Sequence, residues 1–358
     1  MDTLNGRYKM VEDTHIAGYK PLISPYHLKQ QIPLMPDLEA TIKSQRETIT
    51  QILADSKRKL LVVGPCSIHD IEVAKDYAQR LKELREKVKD VFEIVMRVYF
   101  EKPRTSIGWK GFLYEPHLDG KENINEGLAI GRGLLKYIAE LQLPAGTEFL
   151  DPFVPQYIAG LVSWGSIGAR TVESPQHRQM ASGLSMPVGF KNNTQGNLEV
   201  AVNAMLVAKH PQSFLGLDQY GTPAVVSTNG NPYVHMILRG SNNGTNYDNE
   251  NVKRAQSILR KAGLDDKLMV DCSHGNSSKN YSQQPVVFED VVKQIFDGNS
   301  GIVGIMLESN IKEGSQKIPK NLAELHYGVS ITDSCIGWET TKDIILDAFK
   351  MLAKGMHK

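Results

Sequence analysis

LLVVGPCSIHD, residues 60–70, is a short apolar run that stops at Gly64-Pro65 and passes directly into the polar Cys66, Ser67, His69 and Asp70. A brief continuous apolar run bounded by Gly and Pro reads as a buried strand. The pattern recurs in VFEIVMRVYFEKPRT (91–105), GTEFLD (146–151), WGSIGART (164–171), PVGFKN (187–192), HMILRG (235–240), LMVDCS (268–273) and GIVGIML (301–307). Stretches with helical spacing lie between these runs. After Asp70, the residues Ala74, Tyr77, Ala78, Leu81 and Val88 form one apolar stripe. A Leu- and Ile-rich stretch covers about 124–142. Val252, Ala255, Leu259 and Ala262 precede Gly263, the usual residue beyond a helix C-terminus. A final helix is expected from about Glu339 to Ala353. Eight strands alternating with helices predict an α/β fold, a (β/α)8 TIM barrel, in which all strand tips reach one face.

Two segments stand outside this alternation. Residues 1–57 read as an N-terminal extension to a barrel over 58–358. Within the extension, Asp37 is a plausible N-cap for a helix carrying Leu38, Ile42, Ile49 and Leu53. Such a helix must cover either the barrel's base or a neighbouring subunit. Within SFLGLDQYGTPAVVSTNGNPYVHMILRG (213–240), two short apolar runs, about 213–217 and 224–227, read as a β-hairpin. It is inserted before strand six, at about 212–232, and is a candidate for binding or regulation.

Composition narrows the classes of function. The chain has 358 residues, 41% of them hydrophobic, enough for a large core in a single barrel with extensions. A net charge of +1 provides no global field for nucleic acid or anionic membrane. The N-terminal MDTLNGRYKM has no apolar run like that of a signal peptide, and no stretch approaches transmembrane length. Three cysteines, an odd number in a large chain, argue against a disulfide framework. The expectation is a soluble protein of the reducing cytoplasm, with neither nucleic acid nor membrane as partner.

The strand tips hold two constellations. Cys66, His274, Glu308 and Asp333 lie at or just past strand ends, and Cys, His and two carboxylates make a workable shell for one divalent transition metal. His69 is a rival ligand, or a loop residue orienting one. Cys272 and Cys335 read as core. The second set is Arg97, Lys102, Arg104, Arg170, Lys191 and Arg239, with Glu148 on the same face. Converging cations repel unless an anion joins them, so a small phosphate- or carboxylate-bearing ligand is implied. Thr105 and Ser106 place hydroxyls beside Lys102 and Arg104, and neither a Walker A nor a GxGxxG loop is present.

Taken together, GPCSIHD, RVYFEKPRTSIGWKG, SIGARTVES, PVGFKN, ILRGSNNGTNYD, MVDCSHGNSSK, GIMLESN and SITDSCIGWE resemble the 3-deoxy-D-arabino-heptulosonate-7-phosphate synthases. The likeness is to their feedback-regulated, metal-dependent microbial form, from about residue 12 to the C-terminus. It implies condensation of phosphoenolpyruvate with erythrose 4-phosphate, the first step of the shikimate pathway, and a homo-oligomer, dimer or tetramer. It implies Cys66, His274, Glu308 and Asp333 as ligands of Mn²⁺, Fe²⁺, Co²⁺ or Zn²⁺. Arg97, Lys102, Ala169, Arg170, Lys191 and Arg239 match phosphoenolpyruvate contacts, and Lys102, Pro103, Arg104 and Thr105 match erythrose phosphate contacts. Ser106 stands where many relatives have Thr. Lys102, Glu148 and Lys191 are the expected catalytic groups. An aromatic amino acid inhibitor is implied at Pro152, Gln156, Ser185, Phe214, Gly216 and Val226. Gly216, like several flanking motifs, resembles the tyrosine-sensitive branch, where phenylalanine-sensitive members carry Ser. Contacts from residues 1–11 find no match.

Overall fold

The computed structural model describes residues 11–54 and 58–356. Among the described residues ten strands form: β1 Lys59–Gly64, β2 Phe92–Arg97, β3 Ala145–Glu148, β4 Trp164–Ile167, β5 Val188–Lys191, β6 Ser213–Leu217, β7 Pro223–Ser227, β8 Val234–Leu238, β9 Leu268–Asp271 and β10 Ile302–Glu308. Eight of them close a parallel barrel in the order β1-β2-β3-β4-β5-β8-β9-β10, with β10 pairing back onto β1. Strands β6 and β7 make the separate antiparallel hairpin, with Phe214 opposite Val226 and Gly216 opposite Ala224. The fold class read from the eight apolar runs is the one observed.

The helices are α1 Pro25–Gln31, α2 Pro36–Ala54, α3 Ile71–Val88, α4 Ile124–Glu140, α5 Val154–Ile158, α6 Pro175–Ser182, α7 Glu199–Lys209, α8 Asn249–Lys261, α9 Gln284–Phe296 and α10 Trp338–Met356. Asp70 caps α3, its carboxylate accepting from the amides of Glu72 and Val73. Asp37 does not cap α2. That helix begins at Pro36, whose fixed φ suits a first helical position, and Asp37 lies in the first turn, where its charge complements the helix dipole. The expected boundary at 57 falls on residues 55–57, outside those described, as do residues 1–10 of the unmatched N-terminal stretch.

Helix α2 resolves the question of what the extension covers. Its Ile49 and Ile52 are buried in one cluster with Leu60, Val62, Val95, Trp164, Ile237, Met269, Val303 and Met306. Side chains alternate across a strand, so Leu60 and Val62 face the lumen while Leu61 and Val63 join the layer between barrel and helices. The extension thus closes the bottom of the barrel, opposite the face on which the candidate residues gather. Gln45 of α2 adds a polar tie, accepting at 2.7 Å from the Ser163 hydroxyl. No described helix is long and apolar enough to cross a membrane.

Candidate active site

Barrel register brings the first constellation together. Gly64 is level with Glu308 in the β1–β10 ladder, so Cys66, two residues on, emerges beside that carboxylate. Donor atoms of Cys66, Glu308 and Asp333 lie within 4.8 Å of one another. Cys66 and Glu308 are buried, whereas Asp333, on the loop after β10, meets solvent. His274 approaches the cluster through Glu308, its Nε2 lying 3.5 Å from Oε1. His69 is buried outside the three-residue cluster. Cys272 and Cys335 are fully buried, and burial pushes both thiols well above their usual range.

The donor set fits a divalent ion. Burial, with Glu308 and Asp333 nearby, pushes the Cys66 thiol up to about 11, and Lys102 only partly opposes this. A thiol and two carboxylates crowded in low dielectric favour one strong positive charge among them, which would reverse that shift. A soft sulfur, an imidazole and two hard oxygens suit a borderline dication.

Cations surround this cluster. Lys102 donates to the Cys66 carbonyl at 2.7 Å and to its sulfur at 3.0 Å. Arg97, 1% exposed, pairs with Glu308 at 3.1 Å and lies over the Tyr99 ring at 3.9 Å. Glu308 is held at its backbone as well. The Gln284 amide accepts from the Glu308 N–H at 2.9 Å and donates to its carbonyl at 3.0 Å. Lys102, Pro103, Arg104, Glu148, Ala169, Arg170, Lys191 and Arg239 line one cavity with His274, Glu308 and Asp333. Arg239 is buried with no partner for Nη1 among the described residues, and burial lowers its pKa. A buried guanidinium nitrogen without an acceptor is matched to an incoming anion. Glu148 Oε1 is likewise buried and unpartnered among the described residues.

Thr105 and Ser106 line a second cavity that shares Lys102, Pro103, Arg104 and Arg170 with the first and adds Lys110 and Tyr114. The stretch 102–106 therefore bridges two compartments, an inner one by the buried cluster and an outer one closer to solvent. Arg104 is steadied by donating from Nε to the Trp109 carbonyl at 2.9 Å.

Asp271 was not among the strand-tip residues singled out from the sequence, yet it ends β9 fully buried, between Lys191 Nζ at 2.8 Å and His274 Nδ1 at 3.0 Å. Burial opposes its charge, but Lys191, His274 and Arg97 hold its carboxyl well below the ordinary range. The strand-tip rule applied to LMVD would have found it. Tyr99, the ring beneath Arg97, carried no such signal.

The loops bearing Arg239 and His274 touch backbone to backbone. A Cβ at Gly240, where φ is +70°, would meet the Asn276 amide at 2.4 Å, and one at Gly275 would meet the Ser241 amide at 2.3 Å. Only glycine permits that approach. His274 itself has φ +57°, an uncommon conformation that Lys279 N–H and Ser277 Oγ brace by donating to its carbonyl.

The positions expected to hold an inhibitor lie on the hairpin and on the loops and helix beside it. Phe214, Gly216 and Val226 share one face of the hairpin, and Gln156 reaches the hairpin turn by accepting from Gln219 at 2.6 Å. Pro152 lies two residues before α5. Ser185 lines a groove of about 560 Å³ against α2 with Ile42, Arg46 and Tyr233.

Comparison with known proteins adds an independent line. The DAHP synthetase I family model matches residues 39–345. The chain is 50% identical over 336 residues to the Tyr-sensitive phospho-2-dehydro-3-deoxyheptonate aldolase of Escherichia coli (strain K12), covering 94% of each chain. It is 48% identical over 335 residues to the Phe-sensitive enzyme of the same strain, covering 93% of this chain and 95% of that one. A solved phospho-2-dehydro-3-deoxyheptonate aldolase from Francisella tularensis SCHU S4 superposes with a TM-score of 0.90 at 46% identity, over 96% of this chain and 98% of that one. With the eight-stranded barrel and the cation-lined cavity beside a Cys–Glu–Asp cluster, these matches place the chain in the DAHP synthetase I family.

Proposed function

We propose that this chain condenses phosphoenolpyruvate with D-erythrose 4-phosphate and water, giving 3-deoxy-D-arabino-heptulosonate 7-phosphate and inorganic phosphate. The observation that carries the reading is one cavity in which Arg97, Lys102, Arg170, Lys191 and Arg239 converge beside the Cys66–Glu308–Asp333 cluster. The two substrates bring two phosphates and one carboxylate, which answer that excess of charge.

Arg170, Lys191 and Arg239 bind phosphoenolpyruvate, with Ala169 against it, and Arg97 adds positive charge deeper in the cavity. Pro103, Arg104, Thr105 and Ser106 bind the phosphate of erythrose 4-phosphate where the two compartments meet. Glu148 and Lys191 orient a water for addition at C2 of phosphoenolpyruvate. As that water adds and passes a proton to the Glu148 carboxylate, C3 bonds to the aldehyde carbon and Lys102 Nζ gives its proton to the developing alkoxide oxygen. The tetrahedral C2 then breaks its bond to the phosphate oxygen, its hydroxyl becoming the keto group and its proton leaving with inorganic phosphate. Cys66, His274, Glu308 and Asp333 would hold Mn²⁺, Fe²⁺, Co²⁺ or Zn²⁺, which supplies Lewis-acid polarisation of a carbonyl oxygen when bound. Fixed orientation and preorganised charge supply much of the acceleration.

Regulation by tyrosine is part of the same reading. Phe214, Gly216 and Val226 offer an apolar hairpin face, with Gly216 packed against Val226. Exposed Val11, Ile16 and Tyr19 on the N-terminal segment, and Leu215 and Val225 on the outer hairpin face, suit contact with a second copy in a dimer or tetramer. Three free thiols fit the reducing cytoplasm.

Steady-state loss of phosphoenolpyruvate, followed with and without erythrose 4-phosphate and with each aromatic amino acid, tests the proposal. Loss that requires the aldose, yields one phosphate per turnover and is most sensitive to tyrosine is expected. Metal-replete protein with no such turnover would refute it.

A further inference from the structure

We infer that Asp271 is the positioning residue that joins the two halves of the site, aiming His274 at the metal cluster while anchoring Lys191 for phosphoenolpyruvate. The inference rests on the function proposed above and assigns a role to a residue outside both constellations.

Asp271 Oδ2 lies 2.8 Å from Lys191 Nζ and 3.0 Å from His274 Nδ1. Oδ1 accepts from the Ser273 N–H at 3.0 Å and from the Ser273 hydroxyl at 2.5 Å. Two hydrogen bonds donated to Oδ1, and a lysine and an imidazole nitrogen at ion-pair distance from Oδ2, thus surround one fully buried carboxylate, which suits an ionised, acceptor-only group. The Ser273 hydroxyl has a single proton. Having given it to Asp271, it can only accept in its 2.7 Å contact with His274 Nδ1. Nδ1 therefore carries the ring proton and donates it to Ser273 with the Asp271 carboxylate 3.0 Å away, and Nε2 is left with its lone pair facing Glu308. That tautomer and direction are what a ligating imidazole requires, and carboxylates behind such rings commonly impose them. The strained backbone of His274 makes the anchor more necessary, because φ +57° alone does not set the ring's direction.

On the other side, Lys191 is buried and its ammonium faces Asp271, which with Tyr99 and Glu148 raises its pKa against the effect of burial. The ammonium has three donors, so it can keep Asp271 while two remain for a substrate anion. An amide at position 271 breaks this symmetry. Its oxygen can serve one pair of donors, but its NH₂ must then face the other pair.

Asp271→Asn and Ser273→Ala are compared with wild type. Each is stripped with chelator and titrated with Mn²⁺, free ion being read by electron paramagnetic resonance, and Michaelis constants are measured separately for the two substrates. Asp271→Asn is expected to weaken Mn²⁺ binding about 10–100-fold. It should also raise the constant for phosphoenolpyruvate and leave that for erythrose 4-phosphate nearly unchanged. Ser273→Ala should weaken Mn²⁺ in the same direction by less, and it decides the matter if Asp271→Asn does not fold. A purely structural role would lower the melting temperature and leave Mn²⁺ affinity and the substrate split untouched. Wild-type Mn²⁺ affinity in a folded variant overturns the inference while the proposed function stands. Wild-type protein that neither binds Mn²⁺ nor consumes phosphoenolpyruvate overturns that function, and the inference with it.

Discussion

Cys66 and Cys272 show how much a residue's neighbours, rather than its type, decide. Both are buried cysteines at the end of a barrel strand, yet only Cys66 faces two carboxylates and a lysine. Cys66→Ser is expected to bind a divalent ion far more weakly, because a thiolate is lost, whereas Cys272→Ser should retain wild-type metal content. Elemental analysis of the purified variants separates the two, and equal metal loss in both would remove Cys66 from the proposed shell. The arginines divide similarly. Arg239 is buried with an unpartnered nitrogen, whereas Arg104 lies where the inner and outer compartments meet. Arg239→Ala should raise the Michaelis constant for phosphoenolpyruvate and Arg104→Ala that for erythrose 4-phosphate, each at about 1.5–3 kcal/mol for a charge-assisted contact. An effect of Arg104→Ala confined to phosphoenolpyruvate would reverse the assignment of compartments.

At the scale of elements, α2 and the hairpin lie outside the strand–helix repeat and have different physical roles. Helix α2 is a plug: Ile49 is fully buried in the lumen cluster with Trp164 and Met306. Ile49→Ala should therefore cost about 2–5 kcal/mol in urea unfolding, the range for a large-to-small change in a packed core. A loss within about 0.5 kcal/mol would mean that α2 lies on a surface instead. The hairpin is closely packed at Gly216. A Cβ at Gly216 would approach Val226 Cγ2 at 2.7 Å, so any larger residue there displaces that methyl. Gly216→Ser should weaken tyrosine inhibition relative to phenylalanine and leave uninhibited turnover nearly intact, since the catalytic cavity is lined from other elements. Inhibition curves for both amino acids check this, and an unchanged preference would move the aromatic ligand off this face.

For the whole molecule, the barrel's lumen makes stability sensitive to acid. His235 is buried there and accepts from Trp164 Nε1 at 3.2 Å, so its Nε2 carries no proton. Burial lowers its pKa from 6.5 to about 3. The unfolded chain takes up a proton below 6.5 that the folded one refuses, so this contribution is full above 6.5 and is lost as pH falls towards 3. Between about pH 7.5 and 5 it amounts to on the order of 2 kcal/mol. Urea unfolding of wild type and His235→Gln at the two pH values should show the larger acid loss in wild type. Equal losses would mean that His235 is not held neutral.

The sequence by itself determined the eight strands, their parallel closure, the hairpin and the residues at most of the strand tips. Those features are local: an apolar run ending at Gly-Pro or a charged tip reads the same wherever it packs, and the connecting helices leave parallel strands as the one simple solution. Tertiary structure alone decided which tips meet. The level register of Gly64 and Glu308 sets Cys66 beside that carboxylate, and ring closure brings Lys191 from β5 to Asp271 of β9, strands that are not neighbours. Asp271 escaped notice because one carboxylate ending an apolar run looks like ordinary punctuation, and the groups around it come from positions 191, 273 and 274. The partner of α2 was equally hidden, since an amphipathic stripe shows that a face must be buried but not against what. Periodicity is written residue by residue, whereas contact across a barrel depends on register, closure and loop path, which no single stretch of chain contains.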